Sequence, residues 1–270
     1  MVYLERWGML TVAFSFVLAA GCVPIAEAAP AAPSNPILVE LYTSQGCSSC
    51  PPADALVREL PRLGFGPDRV IPLTFHVDYW DDLGWKDPFA SRAFSERQRA
   101  YARAGTLVSP DGGSGIHGSY TPQMIVGGRV HFSGGRRELA LDELRRAGAV
   151  PAIATLEGDA VAERAQATVS LRLSTRAPVA SVRSWQARVA LVARSARTAV
   201  RQGENGGETL EEAAVVRWLS EPLPVGADPI RVTVPQVREL DWKACDLIAF
   251  VQVGATGPVV AARMLAMTIR

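Results

Sequence analysis

The sequence predicts an α/β domain over residues 36–150, followed by a β-rich, sandwich-like domain over residues 151–270. Three observations carry that expectation. Up to about residue 150, short apolar runs alternate with segments of helical periodicity. Beyond Pro151, short strand-like runs follow one another, separated by turn residues and with few helices between them. The composition, 48% hydrophobic and 20% charged, is enough to fill a core and is unlike that of a disordered chain.

The elements follow in order. Ile37-Leu38-Val39-Glu40-Leu41-Tyr42 opens after Pro36 and reads as a buried strand. Pro51 to Leu60 places Leu56, Val57 and Leu60 on one helical face, and Pro61 argues for a stop. Val70 to Val77 is the next apolar strand. Asp87-Pro88 offers an N-cap and a first-turn proline, so a helix is expected from Pro88 to about Ala104. With the Gly- and Ser-rich loop Gly105 to Ser119 it forms an inserted helical segment near 79–119. Gln123 to Val126, the turn Gly127-Gly128 and Arg129 to Phe132 read as a hairpin, and Glu138 to Ala147 as a closing helix. In the second half Ala167 to Leu173 alternates cleanly. Ala187 to Ala193, Ile230 to Val234, Leu247 to Val253 and Val259 to Leu265 are further strands. Glu211 to Leu219 fits a helix or a strand.

The N-terminus bears on compartment, and compartment on thiol chemistry. Met9 to Ala20 is a short apolar run behind Arg6, broken by Gly21 and Pro24, and Ala26-Glu27-Ala28 has the small-x-small form of a cleavage site. Residues 1–28 therefore read as a signal peptide and the protein as periplasmic or secreted. Leu18-Ala19-Ala20-Gly21-Cys22 resembles a lipobox, in which Cys22 would carry lipid and attach the protein to the inner or outer membrane. A formal net charge of +1 gives no basis for nucleic-acid binding, and none is expected.

The chemistry of the chain centres on Thr43-Ser44-Gln45-Gly46-Cys47-Ser48-Ser49-Cys50-Pro51-Pro52. A strand, a CxxC and a helix in succession form the setting of a thioredoxin-like redox pair. At a helix start, Cys47 faces unpaired backbone N–H groups and the positive end of the dipole, both of which favour thiolate. Cys50 lies one turn on, within reach of a disulfide, and the prolines cost nothing where first-turn N–H groups have no helical partner. Other chemistries compete. Structural zinc needs two further ligands, and no second CxxC or paired histidine exists. A copper site would join the cysteines to His76 or His117. A purely structural disulfide would close so small a ring that it stabilises weakly. Thr121-Pro122 stands directly before the strand of the hairpin, where thioredoxin-like folds place a cis-proline facing the cysteines. The bond is therefore expected to be cis and to present backbone to a substrate chain.

Three stretches carry a resemblance to a known family: LVELYTSQGCSSCPPADALVREL, FHVDYWDDLGWKDPFASRAFSERQRAYA and YTPQMIVGGRV. In order, over Leu38 to Val130, they resemble exported bacterial proteins grouped as domain of unknown function 1223, within the thioredoxin-like superfamily. The likeness continues more weakly through Gly203-Glu204-Asn205 and Val215-Val216-Arg217. It implies a thioredoxin-like fold and no established substrate.

Asp78 to Asp87 follows the second strand, whose end should open near the cysteines. Trp80 could line a partner groove there and Asp78 tune a nearby thiol; the competing reading makes the tryptophans core caps and the aspartates solvated turn residues. His76, in mid-strand, reads as a core histidine rather than an ionisable switch. Cys245 reads as a buried free thiol. The functional expectation is thiol–disulfide exchange with protein thiols or disulfides as partners: Cys47 attacks, Cys50 resolves, Thr121, Pro122, Trp80 and Asp78 contact substrate, and neither metal nor organic cofactor takes part. The alternatives are a periplasmic binding or scaffold protein with a structural disulfide, and a copper-binding chaperone.

Overall fold

The structure, a computed structural model, describes residues 35–112, 118–226, 229–238 and 240–270. The expected signal segment 1–28, with Cys22, and His117 lie outside the described residues.

Strand β1 (Ile37–Thr43) runs inside a sheet with both faces covered, which is why its sequence is almost unbroken apolar. Helix α1 (Pro51–Glu59) and a 3₁₀ turn (Leu60–Leu63) carry the chain across to β2 (Val70–His76), parallel to β1, with Ile37 opposite Val70 and Thr43 opposite His76. Helix α2 (Arg92–Ala104) begins four residues later than the Asp87-Pro88 signal suggests. Ser91 caps it by accepting from Ala93 N–H, because the Asp87 carboxylate is engaged by Gln45 N–H, His76 and Phe89 N–H. Strands β3 (Gln123–Val126) and β4 (Val130–Ser133) form the expected hairpin around Gly127 and Gly128, both left-handed as a two-residue turn of this kind requires. Helix α3 (Arg137–Gly148) follows. β1 pairs with β2 on one side and antiparallel with β3 on the other, so the order is β2-β1-β3-β4.

The second half contributes β5 (Ala154–Ala162), β6 (Gln166–Thr175), β7 (Trp185–Ala199), β8 (Thr209–Leu219), β9 (Leu223–Pro224), β10 (Ile230–Pro235), β11 (Cys245–Val253), β12 (Val259–Met264) and β13 (Ala266–Ile269). Glu211 to Leu219 is thus strand. The two sequence halves are not separate bodies. Residues 33–270 form one compact unit, and one sheet crosses the expected boundary at residue 150 in the order β12-β11-β7-β8-β2-β1-β3-β4, with β9 on β7. A second sheet runs β10-β6-β5-β13.

The junction is the parallel meeting of β2 and β8, where Thr74 lies opposite Val215 and its hydroxyl donates to Ala213 O at 2.8 Å. Between those partners Ala214 has φ 54°, a left-handed conformation that costs a non-glycine residue about 1–2 kcal/mol. Here the β7–β8 ladder leaves out the pair Arg194 and Ala214 without a change of register, Ser195 facing Ala213 and Ala193 facing Val215. A second join lies at the hairpin: a Cβ on Gly128 would sit 2.4 Å from Gly257 O, so only glycine admits the β11–β12 turn.

Strand alternation divides the core. One face of the long sheet carries Tyr42, Ile71, Leu73, Phe75, Val192, Val216, Ile248 and Phe250, covered by Phe94 and Tyr101 of α2. The opposite face is covered in two parts. Leu56, Val57, Ala140 and Leu144 of α1 and α3 pack on Val39, Leu41 and Met124. Leu156, Val169 and Leu171 of the second sheet pack on Val189, Leu191, Leu247 and Val251. Each large side chain so buried contributes roughly 1.5–3 kcal/mol. Among the described residues no helix is long and apolar enough to cross a membrane.

Within the α2-covered face lies a buried ion pair. Glu40 of β1 accepts from Arg97 Nε (2.7 Å) and Nη2 (2.9 Å), from Tyr101 Oη (2.6 Å) and from Tyr42 Oη (2.8 Å). Arg97 also donates to Gln252 of β11 at 3.0 Å. Burial alone would raise the Glu40 pKa; the Arg97 charge and the converging donors outweigh it and hold it below the usual range. Arg97→Ala should therefore destabilise the fold by about 3–5 kcal/mol, since it strands a charge in the core. Glu40→Gln with Arg97→Met should cost less, as read by urea unfolding. The contribution of the pair is present above the ordinary glutamate pKa of 4.5 and is lost as pH falls through the lower folded value.

Candidate functional site

The cysteine loop leaves the end of β1 and turns at once into α1. Cys47 N–H donates to Ser44 O (3.1 Å) and Cys50 N–H to Cys47 O (3.2 Å), two tight turns that set Cys50 at the N-cap of α1. Pro51 and Pro52 occupy the first helical positions, where no N–H is needed. Cys47 and Cys50 form a disulfide, with Cα atoms 5.5 Å apart. Both cysteines are 0% exposed, whereas Ser48 and Ser49 between them are exposed.

The loop lies against the other elements expected at the site. A Cβ on Gly46 would come within 3.3 Å of Trp80 Cβ, and Trp80 Nε1 donates to Thr121 Oγ1 at 2.9 Å. Trp80 thus bridges the cysteine loop to the Thr121–Pro122 bond, which is cis. Gly134 touches both sides of the same region: a Cβ there would lie 3.0 Å from Ala53 of α1 and 3.5 Å from Pro122. Asp78 is placed differently. Its carboxylate accepts from Ser95 Oγ at 2.5 Å, and its N–H donates to the same oxygen, so it serves the join between β2 and α2. Cys245 is a buried free thiol between the two sheets; it donates to Asp241 O, and burial pushes its pKa up to about 11.

Behind the cysteine loop lies a buried polar cluster that the sequence did not announce. Asp54 follows Cys50 by one helical turn, on the buried face of α1, and accepts from Thr43 Oγ1 at 3.2 Å. His76, at the end of β2, places Nδ1 2.7 Å from Asp87 and Nε2 4.0 Å from Glu212 of β8. Gln45 gathers the surrounding groups. Its N–H donates to Asp87 (2.8 Å), its amide nitrogen to Glu212 and Thr198 (3.0 Å each), and its oxygen accepts from Trp85 Nε1 (3.1 Å). Burial opposes every charge here, and the outcome differs by partner. Burial would lower the His76 pKa, but Asp87 and Glu212 raise it to about 9. Burial would raise Asp87, but His76 holds it below its ordinary value. For Asp54 burial outweighs the more distant His76 charge and lifts the pKa to about 7; burial likewise outweighs His76 and Gln45 at Glu212 and raises it. Near neutrality the cluster therefore holds a His76–Asp87 ion pair and a partly protonated Asp54. His76 is a core histidine, as expected, and an ion-paired one. Among the described residues no three His, Cys, Asp or Glu side chains are grouped to hold a metal ion.

A loop of the second half completes the site. Between β7 and β8, Glu204 accepts from Ser48 N–H (3.0 Å) and Ser48 Oγ (2.7 Å), and the Asn205 amide donates to Gln45 O (2.9 Å) and Cys47 O (3.0 Å). Arg58 of α1 meets Glu211 of β8 at 3.1 Å. The spacing of Asp54, one turn after Cys50, was a signal that helical periodicity alone could have found. Glu204, Asn205 and Glu212 had no local signal, because only the sheet brings them to residue 47.

Comparisons with known proteins extend the geometry. A crystal structure of a protein from Agrobacterium tumefaciens superimposes with a TM-score of 0.60 at 27% identity, covering 85% of this chain and 93% of that one. HBP35 of Porphyromonas gingivalis superimposes with a TM-score of 0.62 over 87% of this chain and 76% of that one; at 15% identity the likeness concerns the fold alone. No curated protein sequence matches the chain. The model of a family described as protein of unknown function (DUF1223) matches residues 38–252. That span begins in β1, takes in the cysteine loop, α2, the β3–β4 hairpin and the Glu204–Asn205 loop, and ends in β11; the chain belongs to the DUF1223 family.

Proposed function

We propose that the protein is an exported thiol–disulfide exchange protein with a thioredoxin-like core, acting through Cys47 and Cys50. The observation that carries the reading is the Cys47–Cys50 disulfide at the N-terminus of α1, in a loop packed on Trp80, which is itself bonded to Thr121. The strand order β2-β1-β3-β4 with α1 and α3 on one face supports the fold assignment. Export is supported by the signal pattern of residues 1–28. Lipid at Cys22 remains part of that proposal.

In the oxidised protein a substrate thiolate attacks Cys47 Sγ. The sulfur–sulfur bond breaks, Cys50 leaves with the electron pair, and a mixed disulfide joins Cys47 to the substrate. A second substrate thiolate then expels Cys47. Two electrons have passed from substrate dithiol to protein, and the reverse sequence oxidises the protein. Asp54, buried one turn behind Cys50 with a pKa of about 7, holds or accepts the proton that Cys50 exchanges. Trp80, Thr121 and Pro122 border the approach of the substrate chain. A second reading, a binding or scaffold protein with a structural disulfide, is favoured by the complete burial of both cysteines.

Two experiments separate these readings. Cys50→Ala keeps the attacking sulfur and removes the resolving one, so mixed disulfides with protein partners should accumulate on non-reducing electrophoresis. Cys47→Ala should trap few. Equal absence of adducts in both variants would leave the structural reading standing. Asp54→Asn tests the proton store. The folded protein binds the Asp54 proton more tightly than the unfolded chain, whose ordinary value is 3.8. Its contribution is therefore most favourable below that value and declines as pH rises toward the folded value of about 7. The stability of Asp54→Asn relative to wild type should grow by about 2–4 kcal/mol from acid to mildly alkaline pH. A flat difference in denaturant unfolding would mean that Asp54 titrates alike in the folded and unfolded chain and stores no proton near neutrality.

A further inference from the structure

The exchange reading requires a sulfur that can be reached, and both are fully covered. The β7–β8 loop lies against the backbone that carries them and is internally braced: Val200 N–H donates to Glu208 O, Gly207 N–H to Val200 O, and Glu208 N–H to Asn205 O. Gly203, at φ 78°, seats the loop against Trp85, whose Cβ would lie 3.1 Å from a Cβ placed there. From this platform Glu204 and Asn205 make four hydrogen bonds to the cysteine loop, three to its backbone (Gln45 O, Cys47 O and Ser48 N–H) and one to the Ser48 hydroxyl. Asn205 is buried among them, while Glu204 is exposed to solvent and free to leave.

We propose that Glu204 and Asn205 are positioning residues that latch the Cys47–Cys50 bond against attack, and that an extended polypeptide opens the latch by taking over their hydrogen bonds. This rests on the thiol-exchange reading. The chemistry of the latched groups names the class of opener. Ser48 N–H needs an acceptor, which a peptide carbonyl supplies; Gln45 O and Cys47 O need donors, which peptide N–H groups supply. The latch also acts on the couple. A thiolate at Cys47 would draw on the neighbouring Ser48 N–H, which Glu204 already occupies with a full negative charge. Holding the latch closed disfavours the reduced form; releasing it favours that form and raises the reduction potential.

The test uses the full chain with dithiothreitol as reductant. Two electrons and two protons leave the dithiol as its ring disulfide closes; the electrons cleave the Cys47–Cys50 bond and each sulfur takes a proton. The rate is read by alkylation and mass spectrometry of Cys47 and Cys50. Glu204→Ala and Asn205→Ala should each accelerate reduction by about tenfold, the scale of one net hydrogen bond. Glu204→Gln, which keeps an acceptor without the charge, should accelerate it less. Glu208→Ala removes a charge from the same loop without touching the cysteine loop and should leave the rate unchanged. The potential of Glu204→Ala, from equilibration in dithiothreitol buffers, should move upward while its unfolding midpoint stays near that of wild type. Rates for Glu204→Ala and Asn205→Ala within about twofold of wild type would overturn the latch, as would an equal rise in Glu208→Ala or an acceleration matched by a fall in the unfolding midpoint. If no variant, wild type included, is reduced without unfolding, the exchange reading itself falls. If native wild type is reduced and Glu204→Ala is no faster, only the latch falls.

Discussion

The parallel meeting of β2 and β8 is the constraint on which the rest of the molecule depends. It is slight in extent, one registered pair and a threonine hydroxyl on a carbonyl. Yet it makes one sheet of two sequence halves, and it fixes where the β7–β8 loop arrives. Because β2 ends at His76 and β8 carries Glu212, the same meeting closes the buried cluster around Gln45. The left-handed Ala214 stands at this join, where the backbone departs from regular strand to satisfy both neighbours. Strain of this kind persists only where the surroundings over-determine it. Here pairing on both sides of β8 does so.

The electrostatics divide along the same sheet. On the α2 side, Glu40 and Arg97 neutralise each other fully, with tyrosine hydroxyls filling the remaining acceptor positions. That pair is a structural element: complete, buried and far more costly to break than to replace. Under the cysteine loop the balance is incomplete. Three carboxyl groups share one imidazole, so burial leaves Asp54 and Glu212 with raised pKa values while Asp87 keeps its charge. A set of buried acids that cannot all ionise is a store of exchangeable protons, and it lies behind the one disulfide of the described residues.

Much of the first half was legible because its signals are local. An apolar run after a proline marks β1, CxxC followed by two prolines marks a helix start, and Gly-Gly between β-branched residues marks the hairpin. Asp87-Pro88 misled because the aspartate was read as a cap when its oxygens serve His76 and Gln45, a use visible only once β1 and β2 are side by side. Helix α2 then starts at the next competent cap, Ser91. Strands β5 and β13 pair with each other in parallel, far apart in sequence, and no turn joins them. Of the site, the cysteines, Trp80 and Thr121-Pro122 were readable. Glu204 and Asn205 are marked in the sequence only by the family resemblance, since nothing near them tells that residue 205 reaches the carbonyl of residue 47.

Gln252 gives the crossing of the old boundary a further meaning. Its side chain accepts from Arg97 and donates to Tyr101 Oη and Gly257 O, so the last strand pair of the long sheet is wired into the first helix–sheet layer. A break at residue 150 would keep both cysteines on the first fragment, but it would take away Glu204, Asn205, Glu212 and Gln252. The unit that can be inherited, shuffled or grafted with its chemistry intact is therefore the whole run from β1 to β11. The span over which the family is recognised, residues 38–252, opens at the second residue of β1 and closes on Gln252 itself.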